Sequence, residues 1–154
     1  SATAYPSGVK GTPIEIAEQI TPLIFWRKEL RPDSGGAGRT RGGLGQIIEI
    51  ESNIGEPFEL LAGFDRVEYP ARGCAGGQNG ANGVVALASG KKLKGKGVQL
   101  VPPGERLVIM TPGGGGMGSP KERDREAVLR DLQDERITPE TAKTVYGLET
   151  ETVS

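Results

Sequence analysis

The sequence predicts a mainly antiparallel β fold, a sandwich or barrel-like domain with glycine-rich loops, followed by two C-terminal α-helices. Short apolar runs recur between loops in a chain of 154 residues that contains 25 glycines and 11 prolines. Helix-start signals first become strong after residue 118. We expect residues 1–118 to form a β-rich domain and residues 119–154 to pack on it as a helical segment, giving a single structural unit.

Strand signals occur throughout the first two thirds of the chain. Residues 1–11 are expected to form an extended or loop segment. Thr12 is expected to cap a short helical turn, with Pro13 at its first position. A turn is expected at residues 52–55, so the strands on either side of it should pair as a hairpin. The expected strands are residues 23 to about 30, 47–50, 58–61, 84–88, one or two within 93–101, and 105–110.

Two helices are predicted near the end of the chain. Ser119 is expected to cap the first, with Pro120 at its first position and Glu122 completing a capping box. This helix should end near residue 134. The residues on its buried stripe should be Val128, Leu129 and Leu132. We expect the charged side chains of residues 121–136 to form mostly its solvated face and assign them no site.

The second helix should begin at Thr138 and Pro139 and stop at Gly147. Its packing residues should be Ala142, Val145 and Tyr146. Residues 148–154 are expected to fray.

The composition argues against several classes of protein. With 19 basic and 20 acidic residues the net charge is −1, which does not favour a nucleic-acid binder. No run of 18 apolar residues is present, so we expect no membrane span, and no signal peptide is apparent at the start. Residues 1–5 are typical of a chain already in progress, and a tag remnant or a cut would explain them equally well. One cysteine excludes an internal disulfide and fits a reduced, cytoplasmic setting.

Histidine is absent, which removes the commonest general base and metal ligand. A Cys/His zinc site within the chain is excluded for the same reason, and we expect no metal ligands here. Cys74 lies near Arg72, which could lower a thiol pKa. Without histidine we expect Cys74 to be a small, semi-buried residue rather than a nucleophile.

The loop of residues 31–45 is the strongest candidate site. Its glycines free backbone N–H groups to face an anion, and arginines bind carboxylates and phosphates. The candidate substrate or anion contacts are Arg31, Asp33, Ser34, Arg39 and Arg41. The alternative is a structural loop in which Asp33 pairs with an arginine and caps turn amides. An RNA-binding arginine-glycine box is disfavoured because aromatic residues do not interleave.

A second glycine-rich loop spans residues 70–83 and a third spans residues 111–118. Ordering four successive glycines has a large entropic cost, so the third loop needs a close backbone neighbour. A Walker-type phosphate loop would require Lys-Ser/Thr after the glycines, and Met117 stands there instead. We therefore favour packing against another domain. The loop or interface candidates are Gly113, Gly114, Gly115 and Gly116.

Taken in order, these motifs resemble the end of the hydantoinase B/5-oxoprolinase family. The matching stretches are residues 12–15, 29–39, 41–45, 72–77, 111–118, 120–124 and 145–147. The pair of Asp-Ser-Gly-Gly at residues 33–36 and Thr-Pro-Gly-Gly-Gly-Gly at residues 111–116 is the most specific part. One departure is Gly11, where the family commonly has Asn.

The resemblance implies a role in a larger enzyme. Family members are much longer, so the chain would be the C-terminal portion of a B-type subunit, lining the active-site wall and meeting an A-type, ATP-using subunit. The complete enzyme would open a small cyclic amide such as a hydantoin or 5-oxoproline, with ATP phosphorylating the amide oxygen. ATP and a divalent metal are implied for that enzyme, with the metal ligands upstream of this segment. The alternatives are part of a related ATP-dependent ketone carboxylase, a purely structural assembly module, and a free-standing ligand-binding β domain.

Overall fold

The computed structural model describes residues 11–148. The expectations for residues 1–10 and 149–154 lie outside that range. The elements are α1 (Ile14–Ile20), β1 (Leu23–Leu30), β2 (Gln46–Ser52), β3 (Phe58–Gly63), β4 (Val84–Leu87), β5 (Lys96–Val101), β6 (Leu107–Met110), a 3-10 turn (Pro120–Glu122), α2 (Arg125–Gln133) and α3 (Pro139–Thr144). The predicted fold class, mainly antiparallel strands followed by two helices, is confirmed. Within the described residues, no helix has the length and apolarity needed to cross a bilayer.

The chain folds into two compact units. The strand unit contains residues 11–29 together with Ile47–Asp65 and Val84–Met110. The glycine unit contains Leu30–Gln46, Arg66–Gly83 and residues 111–148. Compact units need not be independent domains, so the predicted division into residues 1–118 and 119–154 stays a prediction.

The strand unit contains two sheets. A four-stranded sheet has the order β1-β2-β6-β4, and a two-stranded sheet consists of β3 and β5. Strand β6 runs antiparallel to both of its neighbours, with Ile109 opposite Ile48 on β2 and Val85 on β4. The predicted hairpin between β2 and β3 is wrong, because β3 pairs with β5. A local turn brings two strands close in sequence, but the partner is decided by which apolar faces pack together.

The core of the strand unit explains that choice of partner. Its buried residues are Val85, Leu87, Val101 and Leu107. Phe58 and Leu60 of β3 pack against this cluster, and both stand opposite β5 residues in the register. Of the strand that we expected to be well buried, only Leu107 is fully buried and residues 108–110 are half-buried.

The first helix is longer than the expected turn and begins differently. Pro13 occupies the cap position of α1, and no side chain caps the helix, so the expected cap at Thr12 is wrong. Thr21 ends the helix, since its backbone N–H and its hydroxyl both donate to the carbonyl of Ala17, at 3.0 and 2.7 Å.

Helix α2 starts later than the sequence predicts. Ser119 precedes only the 3-10 turn and makes no side-chain cap bond, and Arg123 is extended, which interrupts the helix. The cap is Asp124, whose Oδ2 accepts from the Ala127 N–H at 3.1 Å. Val128 is buried and Leu132 packs beside it, as predicted. Leu129 is 39% exposed, so its assignment to the buried stripe is wrong.

Helix α3 follows the predicted pattern. Thr138 caps it, accepting from the Thr141 N–H at 3.2 Å, and Pro139 stands at the first helical position. Ala142, Val145 and Tyr146 pack in the core of the glycine unit as predicted. Leu148 is buried in the same cluster, so the expectation of fraying is wrong at that residue.

The revised start of α2 can be tested with one pair of variants. Asp124→Ala should lower the free energy of unfolding by about 1 kcal/mol, because it removes the acceptor for a helix-end N–H. Ser119→Ala should change it by less than about 0.5 kcal/mol, as for most surface positions. Urea denaturation followed by circular dichroism measures both, and a larger effect at Ser119 would contradict the revised cap.

Candidate functional site

Three glycine-rich loops form the interior of the glycine unit. We call them loop A (residues 31–45), loop B (residues 70–83) and loop C (residues 111–118). Loop C lies between the other two. Gly114 accepts from the Gly36 N–H at 2.8 Å and donates to the Gly43 carbonyl at 2.9 Å, both in loop A. Gly116 donates to the Gln78 carbonyl of loop B at 2.9 Å and accepts from the Cys74 N–H at 3.0 Å.

This arrangement leaves no space for side chains between the loops. A Cβ atom on Gly42 would overlap the carbonyl oxygen of Gly114, and one on Gly115 would overlap that of Arg72. A Cβ on Gly116 would meet the Ala37 carbonyl. The neighbours are backbone atoms, which cannot rotate away as side chains do, so an added methyl must move the main chain. Close packing within this unit therefore accounts for the glycines of loop C, and an interface role for Gly113–Gly116 stays a prediction.

Ser34 and Arg31 hold the base of loop A. Ser34 is 1% exposed, and its Oγ donates to the Arg31 carbonyl at 2.6 Å and accepts from the Gly45 N–H at 2.9 Å. The Arg31 guanidinium donates from Nη1 to the Asn82 carbonyl of loop B at 2.8 Å. Both side chains are thus engaged with backbone groups of the same unit.

Asp33 joins loop A to the start of α3. It has a left-handed backbone with φ of 56°. Its Oδ1 accepts from the Thr138 N–H at 3.0 Å, and its own N–H donates to the Arg136 carbonyl at 3.1 Å. Asp33 therefore accepts a backbone N–H, as the structural alternative expected, but the amide belongs to the helix start and not to a turn of its own loop.

Arg41 makes the most elaborate side-chain contact of loop A. Its Nε and Nη2 donate to the two carboxylate oxygens of Asp131 on α2, at 3.0 and 3.2 Å, and Nη1 donates to the Gly42 carbonyl at 2.8 Å. Arg123 donates to the same carboxylate from Nη2 at 2.7 Å and to the Arg39 carbonyl from Nη1 at 3.2 Å. Asp131 thus accepts hydrogen bonds from two arginines, has Nη1 of a third, Arg136, 3.8 Å from its Oδ1, and joins α2 to loop A.

The environment of Asp131 decides its ionisation. Burial to 3% exposure would raise its pKa, but hydrogen bonds and charges from Arg41 and Arg123 outweigh that effect and lower the pKa. Nearby, burial raises the pKa of the Tyr146 phenol, so it stays neutral. Within residues 11–148, the Tyr146 hydroxyl and the Arg123 Nε are buried without a hydrogen-bond partner. The charges of Arg123 and Arg41 and the backbone of Gly38 lower the pKa of the phenol, and burial outweighs them.

The sequence analysis missed Asp131 because it placed the charges of residues 121–136 mostly on the solvated face and assigned them no site. A signal was available, since Asp131 follows the buried Val128 by three residues and thus lies on the same side of the helix. Cys74 was also misjudged, since it is exposed and not semi-buried.

Arg39 differs from the other four candidates. Its backbone N–H donates to the Gly118 carbonyl at 3.2 Å, and its side chain lies beside Gly118. Arg39 is exposed, and its guanidinium forms no ion pair or hydrogen bond with any residue between 11 and 148. It is the candidate whose charge is available to a ligand. No group of three or more His, Cys, Asp or Glu among the described residues could hold a metal ion.

Comparison with known proteins places the chain in a wider context. Residues 1–120 match the sequence model described as hydantoinase B/oxoprolinase. An uncharacterized protein of Methanocaldococcus jannaschii is 39% identical over 140 residues, which cover 88% of this chain and 24% of that protein. The putative B subunit of a D-/L-hydantoinase from a Pseudomonas species is 32% identical over 151 residues, covering 92% and 25%.

Two solved structures also resemble this chain over most of its length. The crystal structure of an ATP-dependent caprolactamase from Pseudomonas jessenii superposes with a TM-score of 0.77 at 28% identity, over 92% of this chain and 26% of that one. Acetone carboxylase, at 20% identity and a TM-score of 0.59, shares the fold. The chain spans about a quarter of the length of these proteins.

The need for bare backbone at loop C can be tested at two adjacent glycines. Gly42→Ala should destabilise the chain by about 1–3 kcal/mol or more, since overpacking forces the backbone to shift. Gly43→Ala should be within about 1 kcal/mol of the parent, because nothing lies within 4 Å of a Cβ there. Urea unfolding of both variants measures the difference, and equal stabilities would refute the packing argument.

The lowered pKa of Asp131 predicts an acid-sensitive unit. Because its folded-state pKa is below that of the unfolded chain, the stabilisation is fully present above the unfolded value, about 3.9, and is lost as pH falls through the folded value. Asp131→Asn should cost about 3–5 kcal/mol near neutral pH, since buried arginines lose their counter-charge. It should also flatten the acid dependence.

Urea midpoints measured from neutral to acidic pH provide the readout for Asp131→Asn. The control is Glu126→Gln on the same helix, whose side chain is 82% exposed and forms an ion pair, among residues 11–148, only with Arg130. The control should keep the acid profile of the parent. The same profile in Asp131→Asn would contradict the assignment.

Proposed function

The chain belongs to the hydantoinase B/oxoprolinase family, and on that premise we propose that it is the C-terminal portion of the B-type subunit of an ATP-dependent cyclic amidase. The observation that carries the proposal is the share of each relative that this chain matches. Relatives that include the putative B subunit of a hydantoinase and the beta subunit of a caprolactamase match 88–92% of this chain, but the chain covers only 24–25% of them. We therefore assign it part of an enzyme and not the whole reaction.

Within that enzyme, the glycine unit would contribute a stiff section of the active-site wall. Loop C is held by backbone hydrogen bonds from loops A and B, so loop A can present a side chain at a fixed position. Arg39 is the side chain that we assign to this task. Its guanidinium is available for an anionic group of the substrate, of the nucleotide or of a phosphorylated intermediate.

The reacting groups would come from the rest of the enzyme. We propose that the other segments of the B-type subunit and an A-type, ATP-using subunit complete the site, with ATP and a divalent metal held by them. ATP would phosphorylate the amide oxygen of a small cyclic amide. We also propose a cytoplasmic location. The likeness to acetone carboxylase is one of fold, so we do not assign ketone carboxylation.

A second candidate, a purely structural module, is favoured by one observation. Four of the five polar candidates of loop A have partners within the glycine unit: Arg31, Asp33, Ser34 and Arg41. Their side chains are explained by folding alone. The two functions therefore differ in what they predict for Arg39.

Substitution of Arg39 in the assembled enzyme separates the two functions. If Arg39 contacts an anionic group, Arg39→Ala should lower kcat/KM for ATP-dependent lactam hydrolysis by roughly 10–100-fold, the effect of losing a charged hydrogen bond of about 1.5–3 kcal/mol. Arg39→Lys should restore part of the loss. Lys143→Ala, an exposed cation on α3, should leave the rate unchanged.

Assembly must be measured on the same samples by gel filtration. Normal assembly with full activity in Arg39→Ala would contradict a role at the active-site wall and support the structural module. Lactam hydrolysis by the chain alone, with no partner added, would contradict the proposed division of labour.

A further inference from the structure

An apolar face remains uncovered on the two-stranded sheet of the strand unit. In the antiparallel register of β3 and β5, Leu61 stands opposite Val98, and Glu59 stands opposite Leu100. These residues alternate with those that pack on the core, so they share the outward face. Leu61 is 81% exposed, Val98 63% and Leu100 60%. Leu61 and Leu100 are diagonal neighbours, so the three apolar side chains form one patch, which we call the outer face.

The inward face of the same sheet is also mostly apolar, with Gln99 as its polar residue. Phe58 and Leu60 pack against the core of the strand unit, and Val101 is fully buried in it. A sheet with one wet face usually alternates apolar and polar residues, whereas strands covered on both sides are apolar almost throughout. Strand β3, with Leu60, Leu61 and Ala62 in succession, has the second pattern. The sequence of β3 is therefore typical of a strand whose outer face is also covered by a packed segment.

The edges of this sheet are open as well. Among the described residues, β3 and β5 have only each other as strand partners. Exposed edges next to an apolar face are normally blocked by proline, charge or a covering element. Neither strand contains proline, and the charged residues of the outer face are Glu59 and Lys96, one of each sign, at its two ends. An apolar partner with little net charge fits such a surface.

We propose that the outer face is the seat of an apolar segment from the remaining part of the B-type polypeptide. This inference rests on the function proposed above. The argument for that occupant is the length of the relatives. The chain covers about a quarter of them, so a B-type subunit of that length has three quarters of its polypeptide from which a segment could cover the outer face. The occupant packs its apolar side chains on Leu61, Val98 and Leu100, with the charges of Glu59 and Lys96 at the rim.

The test is a binding experiment between this chain and the remaining B-type polypeptide, expressed separately. The double variant Leu61→Ser/Val98→Ser should weaken the apparent Kd by at least about 10-fold, because binding then buries polar hydroxyls. The matched control is Ile20→Ser/Ile54→Ser, which changes two exposed apolar residues of the strand unit outside the outer face. The control should bind as tightly as the parent.

Thermal melting of each isolated variant shows whether the fold is kept, and a shift of only a few degrees is expected because the altered side chains face outward. Equal affinity of the double variant and the parent overturns the inference but leaves the proposed function in place. A parent chain that fails to bind overturns both. A parent that dimerises alone, while the double variant is monomeric, shows that a second copy occupies the face and overturns the choice of occupant.

Discussion

The glycine unit depends on the contact of bare backbone with bare backbone. Loop C can lie between loops A and B only because Gly42, Gly115 and Gly116 have no Cβ at the points of closest approach. Ordering glycines has a high entropic cost, and the hydrogen bonds that loop C makes to loops A and B offset it. Because these loops are fixed against one another, the side chains of loop A have defined positions, and this is a requirement for any site built on them.

The ion cluster at Asp131 also fixes the position of loop A, in this case through side-chain contacts. A buried carboxylate with two arginines is weak evidence for net stability, because desolvation can cancel the attraction. Its geometric effect is clearer. The two-pronged contact from Arg41 fixes α2 against loop A, and Arg123 links the same carboxylate to the Arg39 carbonyl. Arg123 therefore holds the backbone of Arg39, whereas the Arg39 guanidinium has no partner within residues 11–148.

Local patterns predicted most elements but not their partners. The strand at Leu23–Leu30 and the cap at Thr138 follow from nearby residues, and both were predicted correctly. The pairing of β3 with β5 joins strands that are distant in sequence, and no turn signal encodes it. At the site, the sequence indicated that loop C needed a close backbone neighbour but could not show that loops A and B supply it. Asp131 was missed because a charge on a helix is usually solvated, and only tertiary structure shows that arginines surround it.

The distribution of free and engaged groups constrains what such a chain can contribute to an enzyme. Inside the glycine unit, the carboxylate of Asp131 accepts from arginines and that of Asp33 accepts from a backbone amide, so neither is available as a base. Burial raises the pKa of the Tyr146 phenol, which disfavours the phenolate that proton abstraction would require. Among the groups discussed above, those available to outside molecules are of another kind: the cation of Arg39 and the apolar side chains of the outer face. A cation can orient an anionic group and an apolar face can bind a neighbouring segment, and neither supplies a general base or a nucleophile.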